Sequence, residues 1–356
     1  SYEDVAEAPR GIRDVLGDVP LVGGSSGACV LGPEGVAPRG VSVVLLAGED
    51  IEVATHVAEV GSPELVDVVP GAQAIARAAD DAARRGLRHF ACLVFAPGIF
   101  VDGEALVAAV RKGTGPRAQL AGALTGDELT LDRPMVFAEG ELRKDRVVLA
   151  GLFTRKHIGI AAGHGWRAVG PVRTVTRAAG PILYELDGRP ALDLWREDAR
   201  RAGAAPPADP KDLALYLANH YELGIFTRAS TRGGADSIVA RAPWSVGGDG
   251  SVTLSGSIGE GARVRVLHAS RKDLLRASTN AAADAVMRAG HSVAGALVLA
   301  CSGRLAALGA DFAEEPALIR RRLSAPIGGA CVFGEIAKNE RDVDAFFNTT
   351  AVVVAF

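Results

Sequence analysis

Ala325-Pro-Ile-Gly-Gly-Ala-Cys-Val-Phe-Gly-Glu-Ile-Ala-Lys338 and, nine residues on, Phe347-Asn-Thr-Thr-Ala-Val-Val-Val-Ala-Phe356 close the chain, and together they vary two earlier passages. One runs from Pro20-Leu-Val-Gly-Gly-Ser-Ser-Gly-Ala-Cys-Val30 to Val41-Ser-Val-Val-Leu-Leu-Ala-Gly48. The other runs from Ala118-Gln-Leu-Ala-Gly-Ala-Leu-Thr-Gly126 to Arg146-Val-Val-Leu-Ala-Gly-Leu-Phe153. Each carries a small-residue pair (Gly23-Gly24, Ala121-Gly122, Gly328-Gly329), a further glycine (Gly27, Gly126, Gly334) and a β-branched closing strand. Glycines in such places mark a sharp turn or a close approach of another group. Upstream, Phe90–Gly98 and Ala294–Gly303 are short apolar runs ending in a tight loop before a helix, the pattern of strands buried on both faces. The repeated unit is therefore strand, helix, glycine loop, strands. The first copy lacks its opening strand: the chain begins at Ser1, without Met, in a helix-like stretch, which implies a trimmed N-terminus.

Around these units stand His164-Gly-Trp-Arg-Ala-Val-Gly-Pro171, Val175-Thr176, Tyr184-Glu-Leu-Asp-Gly-Arg-Pro-Ala191, Gly256-Ser-Ile-Gly-Glu-Gly261, Cys301-Ser-Gly-Arg304, Gly334-Glu-Ile-Ala337 and Phe347-Asn-Thr-Thr350. In this order the chain resembles a stand-alone FIST protein over nearly its whole length, with a FIST N-like domain over 1–190 and a FIST C-like domain over 191–356. The resemblance implies a bacterial, intracellular sensory module that binds small molecules such as amino acids, some relatives binding haem and sensing nitric oxide. Phe347 stands where many relatives carry His, which removes one candidate ligand residue.

Composition sets limits. Nearly half of the 356 residues are hydrophobic, enough for large cores. A net charge of −3 offers no field for phosphate backbones, and Arg320-Arg321-Arg322 reads as the solvated end of a helix, so nucleic acid is not an expected partner. No apolar run approaches the roughly 20 residues that span a bilayer, and no signal peptide opens the chain. Cys29, Cys92, Cys301 and Cys331 show neither disulfide-framework nor zinc spacing, which points to a reducing cytoplasm.

The fold class expected is α/β or α+β, with mixed sheets built from the repeated units in two pseudo-symmetric domains. Helices are expected near Ala72–Arg85, Gly103–Lys112, Pro210–Glu222, Leu274–Arg288 and Pro316–Leu323, with Asp209 as N-cap and Pro210 in the first turn of the third. Ala202–Pro210 reads as a linker. Ser251–Gly256 and Arg263–His268 read as a strand pair about the Gly259-Glu-Gly261 turn.

Arg304, at the end of a buried strand, offers a planar fork for a carboxylate and is the favoured ligand anchor, with Ser302, Cys301, Glu335 and Asn348 near it. An internal ion pair of Arg304 with a carboxylate such as Glu335 is the equal alternative. The Asn348 amide can donate and accept toward a zwitterion, or cap the final hairpin. Gly329 joins the binding set as a close-approach glycine. His164 and Trp166 combine a titratable ring with an aromatic wall, or else form a turn and a core residue; His164 is the metal ligand only if haem is bound. Gly23-Gly-Ser-Ser-Gly27 matches G-x-S-x-G, but a nucleophile elbow needs a helix after the serine and Ala28-Cys-Val-Leu31 follows instead, so a glycine turn is the better reading. Cys301 reads as a small buried hydrophobe.

The leading expectation is an intracellular sensory protein for an amino-acid-like or other carboxylate metabolite. It is expected to lack a cofactor, to signal through a separate protein, and to admit a homodimer. A haem-based nitric oxide sensor and an uncharacterised enzyme using Ser25, Cys301 or Glu335 are the alternatives.

Overall fold

The computed structural model describes residues 2–60, 65, 67–138, 140–227, 237–338 and 343–356. Its centre is a pair of six-stranded mixed sheets with the same plan. In one, His89–Pro97 runs parallel to Gln119–Thr125, with Val94 opposite Gly122, and antiparallel to Arg146–Thr154. In the other, Ala296–Cys301 runs parallel to Ile327–Val332, with Val298 opposite Gly329, and antiparallel to Ala351–Ala355. These strands are apolar on both faces because each face is covered. Leu93, Phe95, Val148 and Leu152 of the first sheet pack against Leu299, Val352 and Val354 of the second. The outer faces carry helices, Val68–Arg84 and Gly103–Thr114 on the first sheet and Arg271–Arg288 and Glu314–Leu323 on the second. The result is four layers, helix, sheet, sheet, helix.

The helices form where their apolar stripes fall. Val68, Ala72, Ile75, Ala79 and Ala82 recur every three or four residues and are the buried face of the first. Ser270 and Asp273 make a reciprocal capping box at the start of Arg271–Arg288. Asp209 caps Pro210–His220, accepting the N–H groups of Lys211 and Asp212.

All three glycine passages occupy the same place in their units, and they exchange partners in a ring. The hairpin Val30–Gly32/Gly35–Ala37 of the first unit adds to Ile327–Val332 of the third, Leu31 lying opposite Gly329. The hairpin Val136–Ala138/Glu141–Arg143 of the second adds to Gly23–Gly24 of the first, Phe137 opposite Gly23. The hairpin Gly334–Lys338/Asp344–Phe347 of the third adds to Gln119–Thr125 of the second, Ile336 opposite Gly122. Gly23, Gly122 and Gly329 share φ values of 156°, 159° and 155°. A Cβ on Gly122 would lie 1.9 Å from the Val94 carbonyl oxygen, and one on Gly329 1.8 Å from that of Val298, so only glycine fits. Three equivalent hydrogen bonds close the ring: Gly27 N–H to Cys331 O, Gly126 N–H to Ser25 O, and Phe333 N–H to Leu124 O. The residues equivalent to Gly27 and Gly126 are thus completed by Phe333, not by Gly334 as the sequence pattern suggested. Its ring occupies the space that the two glycines leave.

A nine-stranded antiparallel sheet forms a further layer with helices Ala191–Arg201 and Pro210–His220, around a core that includes Leu183, Trp195, Leu217, Leu223 and Val266. Ala202–Pro210 joins two helices of this one layer, with Ala202 and Ala204 packed on its core, and so does not separate bodies. Val252–Leu254 and Arg263–His268 do not pair with each other; the hairpin Arg173–Ala179/Ile182–Leu186 lies between them and bonds to both. The sheets also cross residue 190. Gly159–Gly163 and the 30–37 hairpin lie in the sheet of the third unit, and the 334–347 hairpin lies in that of the second. Among the described residues no helix is long and apolar enough to cross a membrane.

Candidate functional site

The strand ends of the third unit lie under the nine-stranded layer, and a cavity of about 410 Å³ separates them. Its floor is Cys301, Ser302 and Gly303 at the end of Ala296–Cys301, with Asn348 and Thr349 entering Ala351–Ala355. Ala214, Leu215 and Ala218 of the helix Pro210–His220 and Trp244 of the strand Pro243–Val246 form its roof. Phe333 closes the side toward the ring of units, its ring edge-on to Trp244 at 6.2 Å. Leu129 supplies a wall from an unusual loop. It has φ of 64°, and the loop is held by buried Asp127, whose carboxylate accepts the N–H groups of Leu131, Asp132 and Arg133. Burial pushes the Asp127 carboxyl upward, but those three N–H groups and the Thr130 hydroxyl outweigh it and hold the group below its ordinary value.

Arg304 does not reach this cavity. It is fully buried, and all three of its nitrogens are engaged by protein. Nε donates to Glu315 at 2.9 and 3.1 Å. Nη1 donates to the carbonyls of His164 and Thr349 at 3.0 and 3.1 Å. Nη2 donates to Leu274 O at 2.9 Å, to Ser278 Oγ at 2.6 Å and to the Glu315 carboxylate. The fork expected to receive a ligand carboxylate is closed by Glu315, which sequence reasoning missed in favour of Glu335. Arg304 is therefore a tie between the helix Ser302–Leu308, the helix Glu314–Leu323 and the Arg271–Arg288 helix.

Glu335 lies one layer behind the floor. One of its oxygens accepts the Thr350 N–H at 3.2 Å and the other has no partner. Glu222, which sequence reasoning did not single out, is its neighbour: one oxygen accepts the Thr349 hydroxyl at 2.6 Å and the other is likewise unpartnered. Burial pushes Glu222 up to about 8, against the pull of Thr349, Arg304 and Arg241. It drives Glu335 well above the carboxylate range, against the Thr350 N–H, the Cys301 thiol and Arg304. Burial, with the Glu335 and Glu222 carboxyls, also holds the Cys301 thiol well above its ordinary value, far from the thiolate that a nucleophile requires.

Asn348 is the unpartnered polar residue of the floor. It is among the lining residues and 1% exposed, and neither its amide nitrogen nor its amide oxygen, both buried, has a hydrogen-bond partner. It does not cap the hairpin. The other polar lining groups that sequence reasoning named are occupied. Ser302 Oγ donates to Gly27 O at 2.7 Å, which ties the floor to the first unit, and Cys301 bonds to Glu335.

The remaining candidates lie elsewhere. Gly329 is a strand residue whose N–H is taken by Ser42 Oγ at 2.9 Å. His164 Nδ1 accepts the Trp166 N–H at 3.0 Å, closing a turn that Gly165 brings against the helix Arg271–Arg288. Burial, then the charge of Arg304, lowers the His164 pKa to about 4. Trp166 is buried in the core outside that helix's sheet. Neither residue lines the 410 Å³ cavity. Among the described residues no group of three or more His, Cys, Asp or Glu is placed to hold a metal ion. Ser25 Oγ is fixed between Gly126 O at 2.5 Å and the Met135 N–H at 2.8 Å, as a turn residue. A larger trough of about 840 Å³ follows Val41–Gly48 along the edge of the third unit's sheet, but among the described residues no unpartnered buried side-chain group lines it.

The FIST N domain family model matches residues 1–189 and the FIST C domain family model residues 191–338. An uncharacterised protein of Methanocaldococcus jannaschii, MJ1623, is 30% identical over 78 residues, which make up 22% of this chain and 15% of that protein. The chain thus spans well under two thirds of the length of that curated relative.

Proposed function

Because the chain belongs to the FIST family, we propose that it is a small-ligand-binding sensory protein and that its ligand occupies the 410 Å³ cavity at the strand ends of the third unit. The observation that carries this reading is the cavity's composition: a largely apolar, half-open concavity at the strand ends, with the buried and unpartnered Asn348 among its lining residues. Ligand sites are typically concave and apolar with a few convergent polar groups, and a native protein rarely leaves both ends of a buried amide unsatisfied.

The location supports a sensory role. The roof belongs to the nine-stranded layer, the floor to the third unit, and the Leu129 wall to the second. A ligand there would bridge three parts of the fold and shift the balance between their arrangements. Its output would pass to a separate partner protein. Four buried, free cysteines are compatible with a reducing compartment. An amino-acid-like ligand held through its carboxylate by Arg304 loses its support, since that guanidinium is sealed.

Native mass spectrometry of the purified chain, followed by a thermal-shift screen of small metabolites, tests the reading. A ligand that co-purifies or raises Tm, and whose effect is lost when Ala214→Trp fills the cavity, is the expected outcome. A ligand bound as well by Ala214→Trp as by the parent chain places the site elsewhere.

A further inference from the structure

The joint where the first unit meets the third carries a pair of side chains that the other two joints of the ring lack. The backbone arrangement is shared. Cys331 N–H donates to Cys29 O at 3.0 Å, as Ser25 N–H donates to Met135 O at 2.9 Å where the second unit meets the first. Where the third unit meets the second, the matching residues Leu124 and Gly334 lie opposite each other. Two joints therefore close without cysteine, and the geometry of the third does not require its thiols.

The Sγ atoms of Cys29 and Cys331 lie 3.0 Å apart although 302 residues separate them in the chain, and both cysteines are free. The register that sets Val30 opposite Ala330 and Leu31 opposite Gly329 places these two directly across antiparallel strands. Opposed residues at a hydrogen-bonded position have Cα atoms about 5.5 Å apart, within the range of roughly 4.4–6.8 Å that a disulfide spans. A bulge completes the arrangement. Cys331 O accepts Gly27 N–H at 2.7 Å, which leaves out Ala28, whose φ is 92°. Both side chains enter the core that holds Leu31, Leu308 and Phe312. The other thiols stand apart from this joint: Cys92 lies in the core of the first sheet, and Cys301 is bonded to Glu335.

The two sulfurs are not equivalent. The hydrogen bond from the Cys331 thiol lowers the Cys29 pKa against the effect of burial, and the same bond, with burial, holds Cys331 well above its ordinary value. Cys29 is thus the thiolate partner. It is also the nearer to solvent, 3% exposed between half-buried Ala28 and Val30, whereas Cys331 is fully buried. A low-pKa cysteine beside a second thiol is the arrangement that converts oxidation into a disulfide.

We propose that Cys29 and Cys331 form an oxidation site for hydroperoxides, and that their disulfide locks the first unit to the third. The Cys29 thiolate attacks one oxygen of the hydroperoxide. The O–O bond breaks, Cys29 becomes a sulfenic acid, and the leaving alkoxide or hydroxide takes up a proton. The Cys331 sulfur then attacks the Cys29 sulfur, the S–S bond forms as the S–OH bond breaks, and hydroxide leaves as water with the Cys331 proton. Two electrons pass from the thiols to the peroxide, which ends as an alcohol, or water, plus water. A dithiol reductant reverses the lock by exchange.

The full chain, reduced and then freed of reductant, is treated with hydrogen peroxide, denatured in N-ethylmaleimide and measured by intact mass and proteolytic mapping. Two adducts in place of four are expected, with the Cys29 and Cys331 segments joined within one chain, and dithiothreitol should restore all four. Cys92→Ser should still lose two thiols to peroxide. Cys331→Ser should form no disulfide and should yield a dimedone adduct at Cys29, the sulfenic acid that has lost its partner. Because the bond closes a loop of some 300 residues, the oxidised chain should melt several degrees above the reduced one. If Cys331→Ser does not fold, as judged by circular dichroism, the map of the parent chain decides alone. Four adducts after peroxide, or a link through Cys92, Cys301 or a second chain, overturns the pairing. A Cys29–Cys331 bond that leaves Tm unchanged or lowers it overturns the lock.

Discussion

The second and third units present the same strand ends to very different surroundings. In the second, His89–Pro97 ends at Pro97-Gly98, and Lys144-Asp145-Arg146 leads into the closing strand; Lys144 and Asp145 are exposed. In the third, Ala296–Cys301 ends at Cys301-Ser302, and Asn348-Thr349-Thr350 leads into the closing strand, all three nearly fully buried. Backbone plan and register match; water does not. The nine-stranded layer roofs one set of ends, while in the other Pro97 and Gly98 are buried but Lys144 and Asp145 stand in solvent. A repeated scaffold thus supplies places for a site, while the covering layer decides which place holds buried polar chemistry.

The largest expected effect separates the two units at matched positions, two residues beyond Ser302 and Gly98. Arg304→Ala leaves Glu315 as an unpaired buried charge and strips partners from three carbonyls, so urea unfolding should show a loss of about 3–5 kcal/mol. Arg304→Lys should recover only part, since it lacks the fork. Phe100, 45% exposed, stands at the matched place in the second unit, and Phe100→Ala should change stability by about 0.5 kcal/mol or less. Comparable losses in the two variants would break the comparison.

The buried acids give the next effect. Glu222 titrates near 8 when folded, against an ordinary value of 4.5, so the folded chain holds a proton that the unfolded chain has lost. Its contribution is full below about pH 4.5 and is lost as pH rises through 8. His164 acts in the opposite sense, lowered from 6.5 to about 4, its contribution present above 6.5 and lost as pH falls toward 4. Between pH 6.5 and 8 the acid acts without the histidine. There the stability of the parent chain should fall with pH, and Glu222→Gln, which keeps the shape of the protonated acid, should flatten that slope and gain on the order of a few kcal/mol at pH 8. A slope unaltered by Glu222→Gln would mean that Glu222 is ionised in the folded chain.

At the ring of units, a Cβ on Gly126 would lie 2.5 Å from Gly27 Cα, a backbone atom that cannot yield. Gly126→Ala should cost about 1–3 kcal/mol by overpacking, read as a lowered urea midpoint at unchanged m. The smallest effect is expected in the solvated turn, where Asp145→Ala should move stability by less than about 1 kcal/mol despite its ion pair with Arg143.

Much of the fold was legible because it rests on local necessity. The close approach of one strand's carbonyl to the next strand forces glycine at Gly122 and Gly329, and such positions repeat visibly. Asp209 before Pro210 announces its helix by capping chemistry alone. The ring of exchanged hairpins was not legible, because it joins Leu31 to Gly329 and Ile336 to Gly122 by pairings that no local pattern encodes.

The site was legible in part. Asn348, Ser302 and Cys301 do line one cavity, marked by their place at strand ends. Arg304 was misassigned because a sequence gives a guanidinium's position and not its direction, and the acid that meets it lies eleven residues on, in another helix. Trp244 and Leu129 carried no signal, since they meet the strand ends only through the fold, one from the nine-stranded layer and the other from the second unit; Glu222 carried none because Thr349, whose hydroxyl it accepts, lies 127 residues on.

The exchange of hairpins also sets an order of events during synthesis. The hairpin at 30–37 leaves the ribosome early, but the strand it must join, Ile327–Val332, follows some 300 residues later. At roughly 5–20 residues per second the early hairpin waits tens of seconds without its neighbour, and Gln119–Thr125 waits in the same way for Gly334–Lys338. Through that interval two strand edges stand open to other chains. The nascent protein therefore depends on whatever shields those edges until residues 327–338 emerge to cover them.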